Sequence, residues 1–255
     1  MVERDLDVVA VVNRRIDVLE ALDAPTAKRD LVGELDHSRS TVDRAIRELD
    51  SLGLVSRNDG YRRTLAGTLV LESFREFLAD LEHVAAAGEV LLALPPTAPM
   101  SPAMLRGARV EVAEGPSPTT VLDPVFELFE RAERVRTLSV AMTRPDYADR
   151  VRELVAAGTL EVEVVYSDEL VDFARENRDG FASFVAGNAI EPYVHPDLPY
   201  ELRIASLPDG HAVAVVAYDD ELAPRGFIRN DSAEAYRWAT SVFERYREEA
   251  EPLAP

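Results

Sequence analysis

One short segment limits what this chain can fold into more than any other. Residues 38–52 read Ser-Arg-Ser-Thr-Val-Asp-Arg-Ala-Ile-Arg-Glu-Leu-Asp-Ser-Leu, and Gly53 follows. Val42, Ile46, Leu49 and Leu52 recur at spacings of four and three, the apolar stripe of an amphipathic helix. Ser38 and Ser40 offer oxygens where a helix start has unpaired N–H groups. Gly53 can take the left-handed conformation that closes such a helix. The opposite face carries Ser40, Thr41, Arg44, Arg47 and Ser51. A rod of this size with hydroxyl and guanidinium tips suits a DNA major groove.

The flanking residues extend the pattern. Residues 27–35 form a short amphipathic helix with Ala27, Leu31 and Leu35 on one face and Thr26 as its expected cap. A tight turn at Asp36-His37 joins the two helices at helix-turn-helix spacing. Residues 54–57 read as a strand, Asn58-Asp59-Gly60 as a turn, and residues 61–65 as a returning strand. Helix, turn, helix and an arginine-bearing hairpin predict a winged helix-turn-helix. Ser40, Thr41, Arg44 and Arg47 are then the residues expected at base edges. Arg39, Arg57, Arg62 and Arg63 are expected on phosphate or in the minor groove. The alternative is a DNA-independent module whose arginine face binds an acidic protein.

Charge tests that expectation. The chain has 255 residues with 47 acidic against 28 basic, a net charge of −19, and Lys28 is its one lysine. Such acidity opposes nucleic-acid binding at low salt. Residues 1–80 carry 12 basic and 16 acidic side chains, net −4, so the rest of the chain carries −15. Between His37 and Leu65 six arginines meet four acids, net +2. The stretch expected to touch DNA is the basic island. An acidic, lysine-poor composition is similar to that of halophilic proteins and points to a salt-loving archaeon.

Upstream, Val12, Ile16 and Leu19 share a face and form the first helix of a three-helix core. Downstream, residues 66–94 hold the longest helical pattern. Leu71, Phe74, Leu78, Leu81, Ala85, Gly88 and Leu92 alternate spacings of three and four, beside Val70, Phe77, Val84 and Leu91. Such alternation favours a coiled-coil-like seam, and so a homodimer presenting two recognition helices. The stripe is wide enough to pack between the chain's own domains as well. Gly88 divides it. Prolines at 95, 96, 99 and 102 stop the helix.

From Arg109 strands and helices alternate. Strands are expected at 109–113, 137–142, 160–166, 189–195, 201–207 and 212–218, with a short one at 226–228. Helices are expected at 120–132, 147–157, 169–187 and 233–251. The fold class is thus α+β to α/β. A winged helix-turn-helix (1–66) leads through a long linker or dimerisation helix (67–94) into a mixed α/β sandwich (95–255).

Catalytic signatures are scarce. The chain has no Gly-Lys dipeptide, no Gly-x-Gly-x-x-Gly and no Gly-x-Ser-x-Gly. With no cysteine, and with His37, His83, His195 and His211 scattered, no metal or cofactor is expected. Nothing suggests export or membrane spanning, so a cytoplasmic location is expected. Open α/β sheets bind ligands at the carboxyl ends of their strands. Arg144, after one strand, could hold an anionic effector there, with Tyr193, His195 and Arg203 as further candidates.

Several local cues carry a family resemblance. They are Leu94-Pro95, Gly107-Ala108, Leu198-Pro199-Tyr200, Val216-Ala217-Tyr218-Asp219, Asn230-Asp231-Ser232 and the stretch 238–246. Residues 31–55 resemble the winged-helix half of archaeal transcription regulators. The remainder resembles the C-terminal domain of haloarchaeal regulators of the methanogenesis-regulator, FilR1-like type. The resemblance implies a DNA-binding transcription regulator that senses a small metabolite and supplies no catalytic residues. A related sensor fold is similar to phospholipase D, which implies a phosphodiesterase alternative. That chemistry needs His-x-Lys, whereas His195 precedes Pro-Asp, His211 precedes Ala-Val, and Lys28 lies far away. No enzymatic activity is therefore expected.

Overall fold

The computed structural model describes residues 2–58, 60–114, 118–141, 145–177 and 192–253. It divides into two compact units, Met1–Leu81 and Glu82–Pro255.

The first unit opens with α1 (Val2–Glu20), which kinks at Arg15. Helices α2 (Lys28–Glu34) and α3 (Arg39–Ser51) follow, then β1 (Val55–Ser56), β2 (Arg62–Arg63) and α4 (Leu65–Ala86). Val12, Leu19, Leu22, Leu31, Val42, Ile46, Leu49, Leu71 and Phe74 bury into one core. The apolar stripe of α3 is therefore what docks it, and truncating a side chain as enclosed as Leu49 costs about 2–5 kcal/mol. Leu52, the fourth member of the stripe, is only half-buried. Gly53 adopts φ 71° and ends α3 as expected.

Thr26 departs from its expected role. Ala27 occupies the N-cap of α2 without a side-chain cap bond. Thr26 instead pairs with Tyr61 as an antiparallel bridge, the two exchanging N–H···O bonds of 2.9 and 3.0 Å. The Thr26 hydroxyl is occupied as well, donating to Ala24 O at 2.9 Å. The paired strands are also shorter than expected, because Thr64 leaves the ladder. Its hydroxyl donates to Gly53 O at 2.7 Å and accepts from Gly67 N at 3.0 Å, joining the end of α3 to the start of α4. A side chain at Gly67 would collide with the Leu54 carbonyl. The long helical pattern does divide near Gly88, into α4 and α5 (Gly88–Leu92).

The second unit adds α6 (Pro102–Leu105), β3 (Arg109–Val112), a 3-10 turn (Pro118–Leu122), α7 (Asp123–Glu130) and β4 (Arg134–Ser139). Then come α8 (Pro145–Ala156), β5 (Glu161–Ser167), α9 (Asp168–Asn177) and β6 (Tyr193–His195). Strands β7 (Glu201–Leu207), β8 (Gly210–Tyr218) and β9 (Pro224–Asn230) lead to α10 (Ala233–Glu249) and β10 (Glu251–Pro252). Expected helix 169–187 is seen over α9, and its remainder lies outside the described residues, as does the start of the strand placed at 189–195. The last helix stops at Glu249, two residues short of expectation, and the chain returns as an edge strand.

The sheet runs β10-β6-β5-β4-β7-β8-β9-β3, with β4, β5 and β6 parallel and every other pairing antiparallel. Pro208 and Asp209 make the tight turn between β7 and β8, where Leu207 pairs Gly210. Alternation along β8 sends Ala212, Ala214 and Val216 to a core with α7, α8 and α9. It sends Val213, Val215 and Ala217 to a core with α5, α6 and α10. A strand buried on both sides reads as a continuous apolar run, as 212–218 does. Buried Asn230 joins the layers. Its amide donates to Met104 O and Arg106 O at 3.1 and 2.8 Å, and its oxygen accepts from Ser232 N at 2.8 Å. Ser232 then caps α10.

Candidate nucleic-acid interface

Helix α3 begins with a built cap. Ser38 accepts from Thr41 N at 3.2 Å, and its hydroxyl also meets Ser40 Oγ at 2.9 Å and Thr41 Oγ1 at 2.8 Å. The hydroxyl cluster is thus tied into the helix start, Ser40 exposed and Thr41 half-buried. With Val42, Ala45, Ile46 and Leu49 buried, the helix period turns Arg39, Ser40, Arg44 and Arg47 outward, and all four are exposed. The Arg47 guanidinium leans on its own helix, donating to Asp43 O at 3.2 Å.

Acids on this helix could repel a duplex, and each is answered. Asp43 pairs with Lys28 of α2, Glu48 with Arg15 of α1 at 2.9 Å, and Asp50 with Arg57 at 3.0 Å. The Lys28 hydrogen bond, aided by the charges of Lys28, Arg39 and Arg47, holds the Asp43 carboxyl below the ordinary aspartate value. Arg15 does the same for Glu48, with smaller help from Arg14 and Arg44. Among the described residues, Arg39, Arg44 and Arg47 have no carboxylate within ion-pair distance. The face is cationic because its own acids are occupied from behind.

The wing distributes its arginines unevenly. Arg62 pairs opposite Ser56 and Arg63 opposite Val55. Neighbours on a strand face opposite sides, so Arg62 is exposed while Arg63 is half-buried on the core side with Val55. Arg57 is exposed but engaged with Asp50. The neutralising partners Lys28 and Arg15 had no local signal in the sequence, since 15 and 33 residues separate them from Asp43 and Glu48. The same holds for His37, whose imidazole pairs with Asp17.

Of the described effector candidates in the second unit, Tyr193 and His195 come together and Arg203 stands apart. Arg144 lies outside the described residues. Tyr193 and His195 sit on β6 facing α10, where the Arg247 guanidinium covers the Tyr193 ring at 3.0 Å. His195 Nδ1 accepts from Asp197 N at 3.0 Å, and its ring meets Tyr246 edge-on at 5.1 Å. Arg203 is on the other face of the sheet, buried against Glu201 and lying 4.8 Å over the Phe126 ring. Glu201, fully buried, also accepts from Tyr218 Oη at 2.9 Å. Among the described residues no group of three or more His, Asp or Glu side chains could hold a metal ion. No described helix is long and apolar enough to cross a membrane.

The chain thus pairs a winged helix-turn-helix with a following α/β sandwich. Family comparison agrees. The model described as methanogenesis regulatory protein FilR1, middle domain, matches residues 118–249, more than half of the chain, and the chain belongs to that family. A second, the HVO_A0261 N-terminal domain, matches residues 3–86. The protein is a transcriptional regulator with a FilR1-like domain. No curated protein sequence matches it. Among solved structures it is similar to TrmBL2, described as an archaeal chromatin protein with a novel mode of DNA binding. Identity there is 14% and the TM-score 0.45, over 92% of this chain and 91% of that one. It is also similar to Nuc of Salmonella typhimurium, a phospholipase D family member, at 11% identity and a TM-score of 0.42, over 58% of this chain and 99% of that one. Likenesses this distant say nothing about chemistry.

Proposed function

We propose that the chain acts in the cytoplasm as a homodimeric, non-catalytic regulator that binds operator DNA through α3. The observation that carries this reading is the charge arrangement on α3: three outward arginines unpaired by acid, and three carboxylates each held by a cation. Arg44, Arg47, Ser40 and Thr41 read base edges, while Arg39 and Arg62 sit on phosphate. Dimerisation is supported by α4, where Phe77 and Leu81, one turn apart, are each 50% exposed. Apolar side chains left open at that spacing suit the same face of a second copy, which would bring two recognition helices to successive major grooves. The second unit binds the effector.

Selection of duplexes from a random pool, followed by electrophoretic shift, tests the reading. A selected duplex should outcompete random DNA, and Arg44→Ala with Arg47→Ala should abolish that preference. Competition by an acidic protein but not by duplex would favour the interaction-module alternative. Sedimentation should give a dimer for the native chain and a monomer for Phe77→Glu; a native monomer removes the pairing.

A further inference from the structure

We infer that a cleft at the carboxyl ends of the parallel strands binds a small organic cation, an amine carried on an apolar body. This rests on the reading of the second unit as the effector-binding part, and it departs from the anionic effector expected around Arg144.

The cleft has a volume of about 400 Å³, the size of a small-molecule site. Val140 follows β4, Ser167 ends β5, Pro196 and Asp197 follow β6, and Tyr218 ends β8. The carboxyl edge of an open α/β sheet is where ligands bind, because the loops there diverge and leave a crevice.

Its chemistry selects the ligand. Glu169, Asp197, Asp219 and Asp220 line the cleft, and no lysine, arginine or histidine does among the described residues. Asp219 is committed to its own loop, accepting from Glu221 N at 3.2 Å and Ala223 N at 2.8 Å. Glu169, Asp197 and Asp220 are exposed, and among the described residues no cation lies within ion-pair distance of them. A crevice lined by one sign of charge focuses its field and concentrates the opposite ion. The helix that could have favoured an anion is already answered. Ser167 Oγ accepts from Leu170 N at 3.3 Å, and Asp168 and Glu169 fill the first turn of α9. Leu94, Pro95, Leu198 and Leu222 give the wall its apolar part, so the ligand has a greasy body as well as a charge.

The test is titration calorimetry on the full chain without DNA, at fixed ionic strength in potassium chloride. The probe is phenethylamine, with 2-phenylethanol and phenylacetate as neutral and anionic matches of the same body. Phenethylamine should bind about tenfold or more tighter than either match, a difference calorimetry resolves easily. Asp197→Asn and Asp220→Asn, both on exposed loops, should each weaken it several-fold while thermal unfolding stays unchanged. Equal binding of the alcohol, tighter binding of phenylacetate, amine affinity untouched by both substitutions, or no saturable amine binding each overturn the inference. Because DNA is absent, such a failure leaves duplex binding by α3 standing, and a failed duplex shift leaves this result standing.

Discussion

Both units carry an excess of acid, and they dispose of it in opposite ways. In the first, the carboxylates of α3 are consumed by Lys28, Arg15 and Arg57, and the arginines facing outward are left over. In the second, arginines on the sheet and on α10 are consumed. Arg136 reaches Glu244 at 3.6 Å and Tyr236 Oη at 3.4 Å, Arg134 and Arg247 share Glu163, and Arg203 is buried with Glu201. Carboxylates are what remain, at the cleft. Net charge alone, −4 in the first 80 residues and −15 after them, describes neither surface. Pairing decides which sign each surface presents.

The deepest of these pairs should break the comparison most visibly. Glu201 is fully enclosed, with Arg203 9% exposed, and removing one partner of such a pair strands a buried charge. Glu201→Ala should destabilise the second unit by about 3–5 kcal/mol, read by denaturant unfolding. Replacing both residues together, as Glu201→Leu with Arg203→Met, should recover most of that loss, since an apolar pair carries no desolvation penalty. A loss below about 1 kcal/mol for Glu201→Ala, the scale of a surface pair, would show that water reaches the carboxylate.

Next in size is the outward face of α3. Arg44→Ala should relax selectivity at one base-pair position by about 1–3 kcal/mol, if its guanidinium forks onto guanine. Arg62→Ala should instead weaken all duplexes alike and lower the salt slope by about one. Identical loss profiles for the two variants would mean that α3 is not reading bases.

How much of this was legible depends on the range of each interaction. The stripe of Val42, Ile46 and Leu49 and the Gly53 terminator are local, and they appear where the sequence put them. Alternating strands and helices from Arg109 gave the layered second unit. What escaped is long-range. Thr26 looked like a cap because its neighbours are helical, but the edge of the hairpin 35 residues away claims its backbone. Arg62 and Arg63 looked equivalent until the register with Ser56 and Val55 put them on opposite sides. Tyr193 and Arg203 both lie in strands, and no periodicity says that those strands turn them to different faces. Lys28 and Arg15 were unreadable as the groups that keep α3 cationic.

That hidden role predicts a smaller effect. Arg15→Gln frees Glu48 beside Arg44 and should weaken binding to every duplex modestly, without changing which sequence is preferred. Salt dependence sharpens the point. Counterion release makes ordinary DNA binding fall steeply with salt, whereas a chain this acidic can take up cations on binding, so its slope should be shallow. A steep negative slope continuing into molar salt would contradict that, and would mean that only the arginine face feels the duplex.

The smallest expected effect is on stability against pH, and it tests whether these pairs act through charge. Asp43 and Glu48 both have depressed pKa values in the folded chain, through Lys28 and Arg15 respectively. A carboxyl depressed on folding stabilises the native state above its ordinary value. That stabilisation drains away as pH falls through the unfolded and then the folded pKa, where both states bind the proton. Lys28→Met and Arg15→Gln should therefore lower the midpoint of thermal unfolding slightly at neutral pH. The gap to the native chain should close below about pH 3, under the usual carboxyl range. A gap of the same size at both pH values would assign the loss to the buried stem of the removed side chain. In that case the acids of α3 are held by packing geometry, and the cationic face would persist in variants that keep the stems but lose the charges.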